Sequence, residues 1–153
     1  MLNTPLKFLR PQTCAGLLLT VSAACASFAV HAADLTIIVN NVQQDAGQVM
    51  LALFNSAEDF PKTISQGTLA LAKERNPSGQ VRLSFKGLAP GQYAASAYHD
   101  VDGNSKLNAN LMGIPSEPYG FSNKARGNFG PPSFKEAAIT VGEQDMTIEI
   151  SLK

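Results

Sequence analysis

Cysteine is scarce in this sequence: it has two, Cys14 and Cys25, and both lie in the first 32 residues. If that segment is removed, the remaining chain, residues 33–153, contains no thiol. Disulfides and cysteine-based metal or redox chemistry are then excluded. A domain of this size must be stabilised by its hydrophobic core instead.

The first 32 residues have the composition of a secretory signal peptide. Lys7 and Arg10 precede an uncharged run, and small residues ending at Ala32 close the segment. The apolar run is shorter than the roughly 20 residues that span a bilayer, which favours cleavage over an uncleaved anchor. A lipid anchor on Cys25 is disfavoured because no large aliphatic residue directly precedes it. We predict a signal peptide at residues 1–32 and an exported protein, periplasmic or extracellular, with no transmembrane segment after cleavage.

Clusters of basic residues are also missing. After Lys7 and Arg10 are removed, ten basic and twelve acidic residues remain. No cluster could supply the phosphate contacts on which nucleic-acid binding depends, so no nucleic-acid partner is expected. His99 is the one histidine after residue 32, which makes a zinc site improbable. Nucleophile-elbow and phosphate-binding glycine motifs are absent as well.

Apolar and polar residues alternate with the period of β-strands through most of the remaining chain. The clearest strand segments are 34–40, 48–54, 81–86, 93–99 and 147–152. We predict that 48–54, apolar on both faces, is a central strand that pairs with 34–40 as a hairpin, and that 137–141 neighbours the last strand. Residues 55–73 are interpreted as loop plus a weak strand. About seven short strands and no clear helix predict one antiparallel β-sandwich domain at residues 33–153, immunoglobulin-like or transthyretin-like.

The most distinctive stretch is HDVDGNSKLN, residues 99–108, where oxygen-bearing side chains recur around an Asp-Gly pair. Calcium takes about six to eight oxygen ligands, and loops supply them from alternate positions beside a glycine that lets the backbone fold back. The spacing therefore predicts a calcium site. Its predicted ligands are the side chains of Asp100, Asp102, Asn104 and Asn108 and the carbonyl of Lys106.

This loop departs from the helix-loop-helix calcium pattern at its glycine and at its last ligand. Ser105 stands where that pattern has glycine, and Leu111 where it has a bidentate Glu, so two carboxylates remain unless Glu117 folds back. Calcium binding should therefore be weak, with a Kd of roughly 10⁻⁴ to 10⁻³ M. The alternative is a plain turn, because Asp, Asn and Gly tolerate the positive φ angles that tight turns require.

Residues 111–134 lack any period and are rich in Gly, Pro and aromatic residues. A loop this long in a small domain is either functional or disordered, and its aromatic content speaks against disorder. One interpretation is a compact loop whose Phe side chains, including Phe129 and Phe134, plug the end of the sandwich. The other is a platform that binds a glycan or a peptide. Its predicted ligand-binding residues are Tyr119, Phe121, Asn123, Arg126 and Asn128.

The run FKGLAPGQY, residues 85–93, resembles the strand-turn-strand of transthyretin-like and collagen-binding-repeat modules, in which a Leu-x-Pro-Gly turn precedes an aromatic residue. Together with YHDVDGNSKLN and GIPSEPYGFSNKARGNFGPPSF, it is similar to a family of exported bacterial proteins catalogued as domain of unknown function 2141. That resemblance implies an exported β-sandwich without an assigned activity.

We therefore predict an exported, non-enzymatic binding or structural module. Its acidic turn, stabilised by calcium, would lie beside the aromatic loop, and its partner would be a glycan, a peptide or an envelope protein. The alternative is a hydrolase that uses the carboxylates of Asp100, Asp102 and Glu117. Strand alternation places His99 and Asp100 on opposite faces, which disfavours an acid–base pair between them.

Overall fold

The computed structural model describes residues 32–153, so the predicted signal peptide lies outside the described residues except for Ala32. Within that range the chain forms two sheets packed into a β-sandwich, which confirms the predicted all-β class. The elements are β1 (Ala33–Asn40), β2 (Gln48–Phe54), β3 (Gln66–Leu71), β4 (Val81–Leu88), β5 (Gly91–Asp100), β6 (Tyr119–Phe121), α1 (Phe134–Ala137), β7 (Ile139–Val141) and β8 (Met146–Ser151), with single helical turns at Ala72–Glu74 and Ser122–Lys124. No helical segment in residues 32–153 has the length and apolar character of a membrane span.

The smaller sheet contains β4, β1 and β8, in that order. Its central strand, β1, is antiparallel to β4 and parallel to β8. Alternation along β1 explains its position, because Leu35, Ile37 and Val39 are fully buried while the residues between them are partly exposed. In β8, Ile148 and Ile150 pack on the core, as the sequence predicts.

The larger sheet has the order β3-β2-β5-β6, and β7 pairs with the start of β5. Strand β2 lies between β3 and β5, which confirms its predicted central position. The inward faces of the two sheets form the main core. Its largest fully buried members include Leu35, Ile37, Leu53, Leu88, Ile150 and Leu152.

Two predicted strand pairings are wrong. Strands β1 and β2 lie in different sheets, so they do not form a hairpin, and β7 pairs with β5 instead of β8. The segment after β1 crosses between the sheets: Asn41 has a left-handed conformation (φ 66°), and the N–H of Val42 donates to the carbonyl of Gly79 at 2.9 Å. Alternation identifies a strand and its buried face, but it does not specify which strand lies beside it.

A second cluster of apolar residues covers the outer face of the larger sheet. Phe60 lies at its centre, with ring-centroid distances of 5.1 Å to Phe54, 5.8 Å to Phe121 and 6.0 Å to Phe134. Thus the aromatic segment covers a sheet face instead of plugging the end of the sandwich. The predicted packing role of Phe129 is wrong, since its side chain is fully exposed (105%).

Ser122 fastens this covering segment to the sheet. Its side chain is fully buried, and its Oγ accepts the N–H of Ala95 in β5 at 2.8 Å. The same hydroxyl donates to the carbonyl of Ala137, at the end of α1, at 2.6 Å. These two hydrogen bonds fix the turn after β6 against the outer face of the larger sheet, and they thereby position residues 123–131.

Candidate functional site

Asp100 closes β5 and anchors the acidic turn. Its side chain is fully buried. One carboxylate oxygen, Oδ1, accepts the N–H groups of Gly103 at 2.9 Å and Asn104 at 3.0 Å. The other, Oδ2, accepts the N–H of Ser105 at 2.8 Å and Nε2 of Gln48 at 2.9 Å. Burial by itself raises the pKa of Asp100, but the donated hydrogen bonds outweigh it and hold that pKa below its usual value. Asp100 is therefore an ionised anchor around which the turn folds.

The next predicted ligands meet at the exposed tip of the turn. Oδ2 of Asp102 accepts hydrogen bonds from Nδ2 of Asn104 and Nδ2 of Asn108, both at 2.9 Å. Nδ2 of Asn104 also donates to Oδ1 of Asn108 at 2.9 Å. The N–H of Lys106 donates to Oδ1 of Asn104 at 2.8 Å, and the Lys106 side chain is exposed. The structure thus brings Asp102, Asn104 and Asn108 into one network.

Glu117 folds back onto the turn from beyond it. Its side chain is buried (7% exposed), Oε1 accepts the N–H of Val101 at 2.9 Å, and Oε2 accepts the N–H of Asn108 at 2.9 Å. One carboxylate thereby holds both ends of the turn. Ligand oxygens of Asp100, Asp102 and Glu117 all lie within 4.8 Å of one another. We call these three side chains the carboxylate cluster.

No cationic side chain neutralises the carboxylate cluster within residues 32–153. The ion pairs in that range, Arg75–Asp45 and Lys86–Asp34, each at 2.7 Å, lie elsewhere. Burial, followed by the charges of Asp100 and Glu117, raises the pKa of the neighbouring Tyr98. Like charges this close repel strongly, and more so where they are buried. Clustered carboxylates of this kind are ligands suited to a hard divalent cation such as calcium.

His99 takes no part in the carboxylate cluster. It is fully buried, and its Nε2 lies 2.8 Å from the carbonyl of Ala46. Because a carbonyl can only accept, Nε2 carries the proton, and within the described part of the chain Nδ1 has no hydrogen-bond partner. His99 continues the inward face of β5 that Ala95 and Ala97 form in the main core, whereas Asp100 belongs to the other face. The two side chains do not form an acid–base pair.

Two adjoining cavities open beside the turn, along β6. The apolar groove, about 580 Å³, lies between loop residues 107–115 and 127–131. The basic cavity, about 360 Å³, is lined by Lys124, Arg126 and Lys153. The rings of Tyr119 and Phe121 are half-buried and line both cavities.

Four of the five predicted platform residues line these cavities. Tyr119 and Phe121 contribute to both, Arg126 to the basic cavity and Asn128 to the apolar groove. Asn123 instead donates from Nδ2 to the carbonyl of Glu136 at 2.9 Å, so its side chain helps to hold α1 in place. Ligand binding by this set stays a prediction.

Sequence reasoning missed Lys124 and Lys153 and treated Glu117 as a ligand only if it folded back. Glu117 lies nine residues after Asn108 in the sequence, and the loop folds back to bring its carboxylate to the turn. The spacing of the residues in the turn therefore does not identify Glu117 as part of the site. Lys153 reaches the cavity because β8 ends beside β6, where the main chains of Tyr119 and Lys153 exchange two hydrogen bonds at 3.2 Å. One signal in the sequence could have identified the basic cavity. Lys124 and Arg126 place two positive charges close together in a segment otherwise rich in glycine.

The chain is thus a two-sheet β-sandwich that carries a carboxylate cluster and an adjoining groove on one connected set of loops. It belongs to the family described as "Uncharacterized protein conserved in bacteria (DUF2141)", whose sequence model matches residues 37–149. This confirms the family resemblance, and the matched range contains the whole carboxylate cluster. No curated protein and no solved structure matches the chain.

Proposed function

We propose that this protein is an exported, non-enzymatic binding module in which calcium at the carboxylate cluster fastens a ligand-binding loop. The observation that carries this proposal is the convergence of Asp100, Asp102 and Glu117 within 4.8 Å without a neutralising cation among residues 32–153. A plain turn explains the conformation of Asp100 and Asp102. Glu117 also closes that turn through two main-chain N–H groups, but a plain turn leaves the mutual repulsion of three carboxylates uncompensated, and a bound cation would offset it.

Glu117 and the exposed Asp102 supply the main calcium ligands, with Asp102 exchanging the hydrogen bonds that it accepts from the side chains of Asn104 and Asn108 for the ion. A carboxylate offers about four lone-pair sites. Asp100 already accepts four hydrogen bonds, whereas Glu117 accepts one on each oxygen among the described residues. Asp100 therefore contributes chiefly charge, and waters and the neighbouring Asn104 and Asn108 complete the shell. A site with so few protein ligands is weak, with a Kd of roughly 10⁻⁴ to 10⁻³ M.

Calcium at this position would act on the groove because the carboxylate cluster lies at the root of the loop 101–118. Leu107, Met112 and Ile114 of this loop form one wall of the apolar groove. Glu117 and an isolated bridge between Ala109 and Pro115 close the loop upon itself. If calcium holds the ends of loop 101–118 in place, it also holds the loop residues that line the apolar groove. Calcium would then raise the affinity of the groove for a glycan or peptide without contacting that ligand.

The geometry favours binding over hydrolysis at the same carboxylates. A general acid needs a pKa raised toward neutrality, whereas the pKa of Asp100 is lowered. Turnover of a glycan or peptide that Asp102→Asn abolishes would instead support the hydrolase.

Isothermal titration of calcium into the exported protein tests the proposal. We expect one weak site, and Asp102→Asn should remove it because the variant lacks a charged ligand. Asp102 is exposed, so its replacement should leave the fold intact. The matched control is Glu143→Gln, an exposed carboxylate in the turn between β7 and β8. Magnesium should bind far less, because it sheds its water reluctantly and demands octahedral geometry. Unchanged calcium binding in Asp102→Asn would contradict the assignment.

A further inference from the structure

Three cationic side chains line one small cavity without a matching anion. Lys124, Arg126 and Lys153 surround the basic cavity, whose volume of about 360 Å³ is in the range of small-ligand sites. No Asp or Glu side chain of the described residues forms an ion pair within 4.0 Å with any of the three. Partial desolvation, and then the nearby charge of Arg126, lowers the pKa of the exposed Lys153. An anion entering the cavity would relieve this repulsion.

The chain builds this cavity at a conformational cost. Lys124 has a left-handed conformation (φ 55°), which is disfavoured for residues other than Gly, Asn and Asp. Gly120 lets β6 lie against β8, because a Cβ at that position would be 2.6 Å from the carbonyl oxygen of Ser151. Two main-chain hydrogen bonds to Tyr119 fix Lys153 at the cavity edge. Strain retained at a cavity is typical of a functional site.

The apolar groove continues directly from the basic cavity. Tyr119, Phe121, Gly127 and Gly130 line both. On the far side of these residues the groove presents exposed apolar side chains. Phe129 is 105% exposed, Met112 83%, Ile114 56% and Leu107 38%. A contiguous apolar surface of this kind marks an interaction site on a soluble protein.

We propose that this composite groove binds a peptide that carries apolar side chains next to a free carboxylate, an inference that rests on the proposed binding function. The carboxylate enters the basic cavity, where the planar guanidinium of Arg126 can donate two parallel hydrogen bonds. The apolar side chains lie against Met112, Ile114 and Phe129. A glycan fits this wall poorly, because its hydroxyl groups would be desolvated against aliphatic side chains without hydrogen-bond partners.

The test uses the exported protein and two libraries of N-acetyl tripeptides built from Ala, Leu, Met, Phe and Val. One library has free carboxylates and the other carboxamides, and bound peptides are quantified by mass spectrometry. We expect the free acids to bind at least about tenfold more tightly than the matched amides, the effect of a charge-assisted hydrogen-bonded pair. Arg126→Gln and Lys153→Gln should remove that preference, whereas Lys135→Gln, an exposed lysine on α1, should retain it. Phe129→Ala should weaken the binding of free acids and carboxamides equally.

Several results would overturn the assignment. Equal binding of acids and amides would show that the basic cavity does not recognise a peptide carboxylate. The groove would then still be a peptide-binding site. Binding of dodecanoate below its micelle concentration, or of an oligosaccharide panel, without peptide binding would assign the groove to another ligand class. Failure of peptides and oligosaccharides alike would remove the proposed binding function itself.

Discussion

Replacing Asp100 by Asn tests whether its buried carboxylate organises the acidic turn. The amide keeps one acceptor oxygen, but its NH₂ group then faces two donors, for example the N–H of Ser105 and Nε2 of Gln48. Each hydrogen bond to a charged group contributes about 1.5–3 kcal/mol, so losing two costs about 3–6 kcal/mol. That is a large part of the ~5–15 kcal/mol that stabilises a typical domain.

Urea denaturation of the wild type, Asp100→Asn and Asp102→Asn measures this cost. Asp102 is exposed, so its replacement should cost less than about 1 kcal/mol. An Asp100→Asn variant within about 1 kcal/mol of the wild type would refute the anchor role.

The pH dependence gives an independent check on the same residue. The pKa of Asp100 is lower in the folded protein than in the unfolded chain, where it is about 3.9. Its ionic contribution to stability is therefore complete above about pH 5 and is lost as the pH falls through the folded-state pKa. The stability difference between the wild type and Asp100→Asn should shrink below about pH 4. A difference that stays constant down to pH 2 would contradict this sign.

Other predictions concern the outer cluster, the contact of β6 with β8, and the leader. Phe60→Ala should lower the free energy of unfolding by about 3–5 kcal/mol, whereas the exposed Phe129→Ala should leave it nearly unchanged, and equal effects would contradict the packing described. Gly120→Ala should cost about 1–3 kcal/mol in chemical denaturation because its Cβ overlaps β8, and a cost no larger than for Gly142→Ala, where space is open, would refute that contact. Mass spectrometry of the protein expressed with its leader should give an amino terminus at Ala33, and an intact Met1 start would refute the predicted cleavage.

The sequence was sufficient for those parts of the fold that depend on local pattern. Alternation identified β1 and β8 with the correct buried faces, because the side-chain period of a strand is a local property. The pairing of β1 with β4 and β8 was not predictable in this way, since it depends on contacts between distant segments. The crossing that follows Asn41 does not show in the polar and apolar pattern.

The same distinction applies to the candidate site. The spacing of Asp100, Asp102 and Asn108 pointed to a turn rich in oxygen ligands, and the structure places these residues within one turn. Glu117 lies next to these residues because the loop folds back on itself, and the spacing of residues in the sequence does not predict that contact. The exposure of Phe129 was missed because composition does not distinguish an aromatic side chain that covers a sheet from one that faces solvent.

Amide hydrogen exchange with and without calcium tests the central claim most directly. At about 10 mM calcium, roughly ten times the upper Kd, binding should stabilise the folded state by about 1.4 kcal/mol. We predict slower exchange throughout residues 101–118 of the wild type, slowing of the β1 and β8 amides by no more than the roughly tenfold that the added global stability gives, and no effect of calcium in Asp102→Asn. Identical exchange with calcium and with chelator in the wild type would contradict a calcium-fastened loop.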